Sequence, residues 1–409
     1  MNGVLDVRPL RESADFRRLW LTGSASAVSA QIAVVAVLFQ VWELTGSSAW
    51  VGAVGLVTGL ATGVFGLVGG TLADRVERRG LVLVTRVGMA AAAALLAAAV
   101  ALGIGSVAVL LVLVSLQTGC AALGSSARRT FVPRLLTRER VGAGVALDHV
   151  AFQVAMLTGP ALGGVLLAGW GAQGAFAVDA VVTVAALYGV ARLPRMPPDP
   201  ADGTPRSTVA GLRFLLRSRV LRGALLTDLA QTLLAMPLAL FPAVNAERFG
   251  GDPRTLGFLV SAIAVGGTAA ALLSGPAARA LRPGRTSLVA AAVWGAALAA
   301  FGLVDGLVAT LACLAVAGAA DTLSVISRGT LVQLATPDGY RGRVTAVEYV
   351  VGAGAPGIGN ARAGFVAGAT SPEAAAVTGG VACVVAVGLV ALGCRPLREW
   401  RTDGPGTAG

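Results

Sequence analysis

The stretch Gly69-Gly70-Thr71-Leu72-Ala73-Asp74-Arg75-Val76-Glu77-Arg78-Arg79 stands between two long apolar segments. Each neighbouring segment has about 20 residues or more, enough to cross a hydrocarbon core of about 30 Å at about 1.5 Å per residue. The glycine pair permits a tight helix exit, and the acids and arginines after it form a short charged turn. The stretch is therefore predicted to join two membrane-spanning helices.

The same alternation of apolar segment and short polar turn runs through the rest of the chain. It predicts an all-α integral membrane protein with twelve transmembrane helices. We place the spans at 19–42, 48–72, 80–102, 106–127, 141–168, 172–191, 222–245, 255–279, 286–304, 307–327, 343–368 and 374–394.

The distribution of positive charge predicts the orientation. All 32 cations are arginines, and the net charge is +11. All arginines but Arg248, Arg254 and Arg362 lie at the N-terminus, at the C-terminus, or in the gaps after even-numbered spans and the span ends that border them. The positive-inside rule then predicts a multi-pass protein of the cytoplasmic membrane with both termini in the cytoplasm. The charge is explained by membrane insertion and by attraction to anionic lipid, so no nucleic-acid partner is expected.

Composition and motifs exclude other classes of protein. With 56% hydrophobic and 13% charged residues, a soluble fold is not expected. The four cysteines lie in apolar spans without CxxC spacing, so we interpret them as buried hydrophobic residues. The chain has no Gly-x-x-x-x-Gly-Lys phosphate-binding loop and no metal-ligand spacing. We therefore expect no enzyme activity, cofactor or metal.

The chain also repeats itself. With a shift of about 200 residues, Asp148 falls opposite Glu348, and with a shift of 205, Gly70 falls opposite Gly275. Two pseudo-symmetric halves of six helices are predicted, at 1–192 and 219–409, with a cytoplasmic linker at 193–218. Prolines at positions 194, 197, 198 and 200 open the linker. Its residues 209–217 are predicted to form an amphipathic helix on the inner membrane surface.

Two motifs carry a family resemblance. The stretch 69–79 resembles the signature G-x-L-a-D-R-x-x-R-R of the major facilitator superfamily, and Gly159-Pro160-Ala161-Leu162-Gly163-Gly164 resembles a motif frequent in its exporters. Residues 15–20 and 131–136 are most similar to the branch of bacterial siderophore (enterobactin) exporters and drug-efflux proteins.

The resemblance implies the major facilitator fold and an alternating-access cycle about a central cavity. It implies helix packing at Gly159, Pro160, Gly163 and Gly164. The cytoplasmic gate that it implies consists of Gly70, Asp74, Arg75, Arg78 and Arg79.

One departure from the family pattern concerns the coupling ion. Many proton-driven exporters carry R-x-x-Q-G in span 4. Here Gln117 and Gly119 are present, but Val114 occupies the arginine position. Proton antiport is therefore not established by this motif.

Ionisable residues within spans are candidates for proton coupling or substrate contact, because burying a charge there costs about 2.5–3.5 kcal/mol. Asp321 is predicted to lie deepest, and Asp148 with its neighbour His149 matches Glu348 in the second half. The alternative for Asp148, His149 and Glu348 is a role in helix contacts. For Asp228, pairing with Arg222 or exposure to water is the simpler explanation. Asp179 also lies in a span. Polar residues predicted to line the cavity, or to tie helices together, are Gln31, Gln117 and Gln231.

The sequence thus favours a secondary transporter, expected as a monomer, that exports small, mostly apolar molecules such as drugs, antibiotics or secondary metabolites by proton antiport. Three alternatives stay open: an uptake or facilitated-diffusion carrier, a lysophospholipid flippase, and a non-transporting membrane scaffold.

Overall fold

A computed structural model describes residues 6–197, 208–273 and 281–402, and this part of the chain consists of helices joined by short turns. The helices are α1 (Arg8–Glu12), α2 (Ala14–Thr45), α3 (Ser48–Ala73), α4 (Arg78–Ala101), α5 (Val107–Arg129), α6 (Phe131–Leu135), α7 (Arg138–Ala191), α8 (Thr208–Arg217), α9 (Arg219–Leu234), α10 (Phe241–Phe249), α11 (Pro253–Leu272), α12 (Pro283–Leu303), α13 (Leu307–Ala335), α14 (Asp338–Ala369), α15 (Pro372–Gly393) and α16 (Arg395–Glu399).

Among the described residues, ten helical segments are long and apolar enough to cross a membrane. One of them, α7, has 54 residues and contains a non-helical position at Gly171, where φ is 65° and ψ is −176°. Glycine is suited to a positive φ because it has no Cβ. This break separates the predicted spans 141–168 and 172–191. With α7 counted as two spans and the 32-residue α14 added, the segments agree with the twelve-helix prediction.

The predicted span 222–245 lies within the apolar segment Arg219–Phe249, but this segment is not one continuous helix. The structure ends α9 at Leu234 and continues through a short 3₁₀ turn before α10 begins at Phe241. Pro237 in this break has no backbone N–H, and Pro242 stands in the first turn of α10, where a proline is tolerated. The predicted span 255–279 corresponds to α11, but its residues 274–279 lie outside the described residues.

The helix predicted at 209–217 is present as α8, and it contacts protein along one edge. Leu215 is buried, and the ring of Phe214 stacks on Tyr340 at the start of α14 with 4.4 Å between centroids. Leu212 and Leu216 are exposed. Residues 194–197 before it have no regular structure, and Pro198, Asp199 and Pro200 of the predicted linker lie outside the described residues.

The chain divides into two compact units. The described residues within Met1–Gly46, Leu60–Asp202 and Asp252–Ser261 form the first unit, and those within Ser47–Gly59, Gly203–Gly251 and Ala262–Gly409 form the second. In the first unit α2 packs extensively on α7, and α4 on both α5 and α7. In the second unit α12 packs on α13 and α15, and α9 on α14 and α15.

Glycine allows close helix contacts within each unit. In the first unit, a Cβ on Gly164 would lie 2.5 Å from the carbonyl oxygen of Pro253. In the second unit, a Cβ on Gly357 would lie 2.3 Å from the carbonyl oxygen of Gly55. Such backbone approach is typical of helices packed in lipid, where small residues form the interfaces. It explains the need for many of the 55 glycines.

The two glycines of the 69–79 stretch lie in different environments. A Cβ on Gly69 would lie 2.4 Å from the carbonyl oxygen of Leu123 in α5. The nearest atom to a Cβ on Gly70 is the Oγ of Ser126, at 3.9 Å. The close contact between α3 and α5 therefore depends on Gly69.

We expect Gly69→Ala to destabilise the purified protein by about 1–3 kcal/mol, because the added methyl group must push two helix backbones apart. Gly70→Ala is the matched control, since its methyl group meets only ordinary van der Waals contact. The measurement is thermal unfolding in detergent followed by tryptophan fluorescence. Equal midpoints for the two variants would contradict the assignment of the contact to Gly69.

Candidate functional site

Membrane-embedded polar side chains of the first unit meet around Asp179, which is 2% exposed. The Oγ of Ser29 in α2 donates a hydrogen bond to its Oδ1 at 2.7 Å. The Nε2 of Gln117 in α5 donates to its Oδ2 at 2.6 Å. Both carboxylate oxygens are thus satisfied by partners from two other helices, which a buried carboxylate requires.

Two arginines belong to the same region of the first unit. Arg86 in α4 is buried, and its Nη1 donates to the Oγ of Ser26 in α2 at 2.8 Å. It also interacts electrostatically with Asp179 and with Arg128. Arg128, in the last turn of α5, is half-buried and interacts electrostatically with Asp148 of α7. The four ionisable groups, Arg86, Arg128, Asp148 and Asp179, form what we call the first cluster.

The second unit has a corresponding group of ionisable side chains. Arg328 of α13 forms an ion pair with Asp228 of α9, and both side chains are largely buried, at 15% and 12% exposure. Asp321, seven residues before Arg328 on α13, interacts electrostatically with both members of the pair. Glu348 of α14 does the same. Asp228, Asp321, Arg328 and Glu348 form the second cluster, in which one carboxyl group pairs with the guanidinium group and two more interact with it electrostatically.

A hydrogen-bonded series of side chains holds the helices of the second cluster together. Ser324, one helical turn after Asp321, donates to the Oε1 of Gln231 in α9 at 2.8 Å. Its Oγ is also 3.3 Å from the Oγ of Ser287 in α12. Because Gln231 lies one turn after Asp228, these bonds fix α9, α12 and α13 directly beside the ionisable groups. Gln231 is thus a link between helices.

The expectation for Asp228 is corrected by this geometry. It does not pair with Arg222, which is exposed, and it is not exposed to water. The physical reason is the length of α13: the helix continues past the predicted end of its span, so Arg328 lies inside it and reaches Asp228.

Sequence reasoning missed Arg86, Arg128 and Arg328 as site residues, since they were assigned to the charged turns that determine orientation. Each lies within a helix in the structure. For Arg86 and Arg328 the available signal was their depth, since apolar residues separate each of them from the helix end on the arginine-rich side. Arg128 offered no such signal, because it is one residue from the end of α5.

The remaining candidates lie at the margins of the clusters. His149 follows Asp148 but its side chain is exposed. Gln31 is half-buried where α2 crosses α7. A Cβ on Gly159 would lie 2.4 Å from the Cβ of Gln31. A Cβ on Gly163 would lie 3.2 Å from the Cα of Ile32 in α2. Pro160 is also buried, and the backbone of α7 stays helical there. The non-helical position in α7 is Gly171.

The residues implied as a gate are placed at the end of α3, in the following turn and at the start of α4. Asp74 and Arg75 are exposed. Arg78 is buried, and its Nε donates to the carbonyl oxygen of Ala73 at 3.2 Å. The Nη2 of Arg79 donates to the carbonyl oxygen of Ala191, at the end of α7, at 2.6 Å.

Glu77 holds this turn in place, a role that was not predicted from the sequence. Its carboxylate accepts hydrogen bonds from the backbone N–H groups of Arg79, Gly80 and Met196 at 3.0, 2.6 and 2.8 Å. The first two cap the N-terminus of α4, and the third ties the turn to the chain after α7. Partial burial favours the neutral acid, but the three N–H groups outweigh it and lower the pKa of Glu77 below its ordinary value.

Comparisons with known proteins agree with this architecture. The profile of a family described as transmembrane secretion effector matches residues 6–404. Enterobactin exporters of Citrobacter koseri and of Escherichia coli O1:K1 are 30% and 29% identical over 404 residues, covering 98% of this chain and 97% of each relative.

Solved structures extend the comparison to the fold. The nucleoside transporter NupG matches with a TM-score of 0.78 at 11% identity over 95% of this chain and all of its own. A bacterial homologue of the human lysosomal transporter Spinster matches with a TM-score of 0.70 at 16% identity over 96% of this chain and 97% of its own.

We expect Glu77→Gln to lower the free energy of unfolding by about 1–2 kcal/mol at pH 7, because an amide caps α4 more weakly than a carboxylate. A carboxyl group whose pKa is lowered by folding stabilises the protein above the unfolded pKa and loses this effect as the pH falls through the folded pKa. The difference between wild type and variant, measured by thermal unfolding, should therefore shrink as the pH falls below 4.5. A difference independent of pH would contradict the role of the ionised carboxylate.

Proposed function

Because the chain belongs to the transmembrane secretion effector family, within the major facilitator superfamily, we propose that this multi-pass membrane transporter exports small, mostly apolar molecules by proton antiport. The cargo class comprises drugs, antibiotics and secondary metabolites. Export follows an alternating-access cycle across the cytoplasmic membrane. Both termini lie in the cytoplasm, an orientation supported by the arginine distribution.

The direction of transport rests on the relatives. Enterobactin exporters are similar to this chain over nearly their whole length. The polar turn 69–79 and the glycines of α7 are those expected of an exporter of this superfamily. The structural neighbours share the fold at 11–16% identity and support transport as a class without specifying the cargo.

The observation that carries proton coupling is the second cluster. It contains three carboxyl groups and one guanidinium group: Asp228 pairs with Arg328, and Asp321 and Glu348 interact electrostatically with both. If all were ionised, the cluster would hold two uncompensated negative charges in a region where charge is costly. Repulsion between carboxylates that share a site favours binding of a proton, so the cluster can take up and release protons.

Within this cluster, Asp321 is the group assigned to carry the proton. Asp228 already has an ion-pair partner in Arg328. Asp321 lies about 10 Å along α13 from that arginine, at the helix rise of about 1.5 Å per residue, and is half-buried. Uptake of a proton there removes a charge and leaves the Asp228–Arg328 pair intact.

The function is tested by expressing the chain in a bacterial strain that lacks its major efflux pumps. Retention of a panel of fluorescent apolar compounds and antibiotics is measured with and without an uncoupler. Export predicts lower retention on expression and loss of that effect with the uncoupler. Faster accumulation would indicate uptake or facilitated diffusion, movement of lysophospholipids alone would indicate a flippase, and no flux would indicate a scaffold; each would overturn the proposal.

We expect Asp321→Asn to reduce gradient-driven export at least tenfold and to leave downhill exchange largely intact, because the amide keeps the size of the side chain but cannot bind a proton. Asp305→Asn, in the exposed turn before α13, is the matched control for the loss of one negative charge. The measurement is transport into inside-out vesicles with and without an imposed pH gradient. Full gradient-driven transport by Asp321→Asn would rule out this residue as the proton carrier.

A further inference from the structure

The two clusters occupy corresponding positions in the repeated halves, but they differ in one residue. A shift of 200 residues relates Arg128 to Arg328 and Asp148 to Glu348, and α13 ends 200 residues after α6. A shift of 205 relates Leu21-Thr22-Gly23 in α2 to Leu226-Thr227-Asp228 in α9. Asp228 pairs with Arg328 in the second half, and the corresponding residue in the first half is therefore Gly23.

The geometry around Gly23 agrees with this correspondence. A Cβ on Gly23 would lie 2.7 Å from the Nη2 of Arg128 and 3.6 Å from its Cζ. The guanidinium group of Arg128 thus rests against α2 at the place where Asp228 meets Arg328 in the second unit. The sequence has kept the arginine in both halves and the carboxylate in only one.

Among the described residues, Arg128 forms no hydrogen bond and no ion pair. Asp148 attracts it electrostatically without forming an ion pair within 4 Å, and Arg86 repels it. The other carboxylate of the first cluster, Asp179, is already satisfied by Ser29 and Gln117. A half-buried guanidinium group with five N–H donors is left available in the last turn of α5.

From this asymmetry we infer that Arg128 binds an anionic group of the exported molecule, so that the cargo is an otherwise apolar organic molecule with a carboxylate or similar oxyanion. The planar guanidinium fork matches a carboxylate in a bidentate pair. Asp148 interacts with Arg128 electrostatically but forms no ion pair with it, so the ligand supplies the paired oxyanion that Asp228 supplies to Arg328. The inference deepens the proposed export function and rests on it.

The test uses inside-out vesicles that contain the full-length chain and matched pairs of probes: aromatic carboxylates such as 1-naphthoate and the corresponding carboxamides. The wild type should transport the carboxylates in preference to the amides. Arg128→Gln should lower carboxylate transport about tenfold or more, as expected for loss of a charge-assisted contact, and change amide transport less than about twofold. Arg128→Lys, which keeps the charge without the fork, should retain an intermediate rate.

A second set of variants leaves Arg128 in place. Gly23→Asp introduces the carboxylate that the second half has at Asp228, and it should lower carboxylate transport as much as Arg128→Gln because it neutralises the arginine. Gly23→Asn is the matched control with the same volume and no charge, and it should lower transport far less. The new Cβ at position 23 contacts only the far end of the Arg128 side chain. This side chain is flexible, so it can move by the small distance required.

The outcomes distinguish failure of the anion site from failure of the proposed export function. Transport of amides alone by the wild type, or equal effects of Arg128→Gln on carboxylates and amides, would overturn the anion site and leave export standing. Equal effects of Gly23→Asp and Gly23→Asn would also overturn it. Transport of no compound by the wild type would count against export and would remove the inference with it.

Discussion

The hydrocarbon core of a membrane offers no water to a buried charge, and this constraint determines how the ionisable residues of the chain are arranged. Asp179 is tolerated because Ser29 and Gln117 donate to both of its oxygens. Asp228 is tolerated because Arg328 pairs with it. Each compensation joins different helices, so the same contacts that allow charge in the spans also hold α2, α5 and α7 together in one unit, and α9 and α13 in the other.

Much of the fold could be predicted because the length of an apolar segment is a direct physical signal. The predicted spans at 48–72 and 80–102 agree closely with α3 and α4. The break after Leu234 could not be predicted in the same way, since the residues around Pro237 are apolar and differ from their neighbours only in backbone geometry. Hydropathy reports whether a residue tolerates lipid, and it does not report whether a helix continues.

The candidate site was less predictable because arginine has two roles in this chain. Arginines in turns establish the orientation, and those just inside the helices bind partners, yet both are found in the same short stretches of sequence. Arg328 and Arg128 therefore resembled orientation signals until the helices around them were known to extend further. The acids Asp321 and Glu348 were easier to predict as site residues, since an acid in a span has no role in insertion. Their partners depend on contacts between residues about 100 positions apart, such as Asp228 and Arg328.

The absence of lysine from the whole chain has a consequence for proton movement. A buried lysine can lose its proton, whereas arginine keeps its charge at all accessible pH values. In our proposal of proton coupling, the proton therefore binds a carboxyl group of the second cluster. The first cluster has equal numbers of carboxylates and guanidinium groups, and the second has an excess of two carboxyl groups. In our proposals the second cluster binds a proton through its excess carboxyl groups and Arg128 of the first cluster binds an anion, so the two clusters differ in the ligand that completes them.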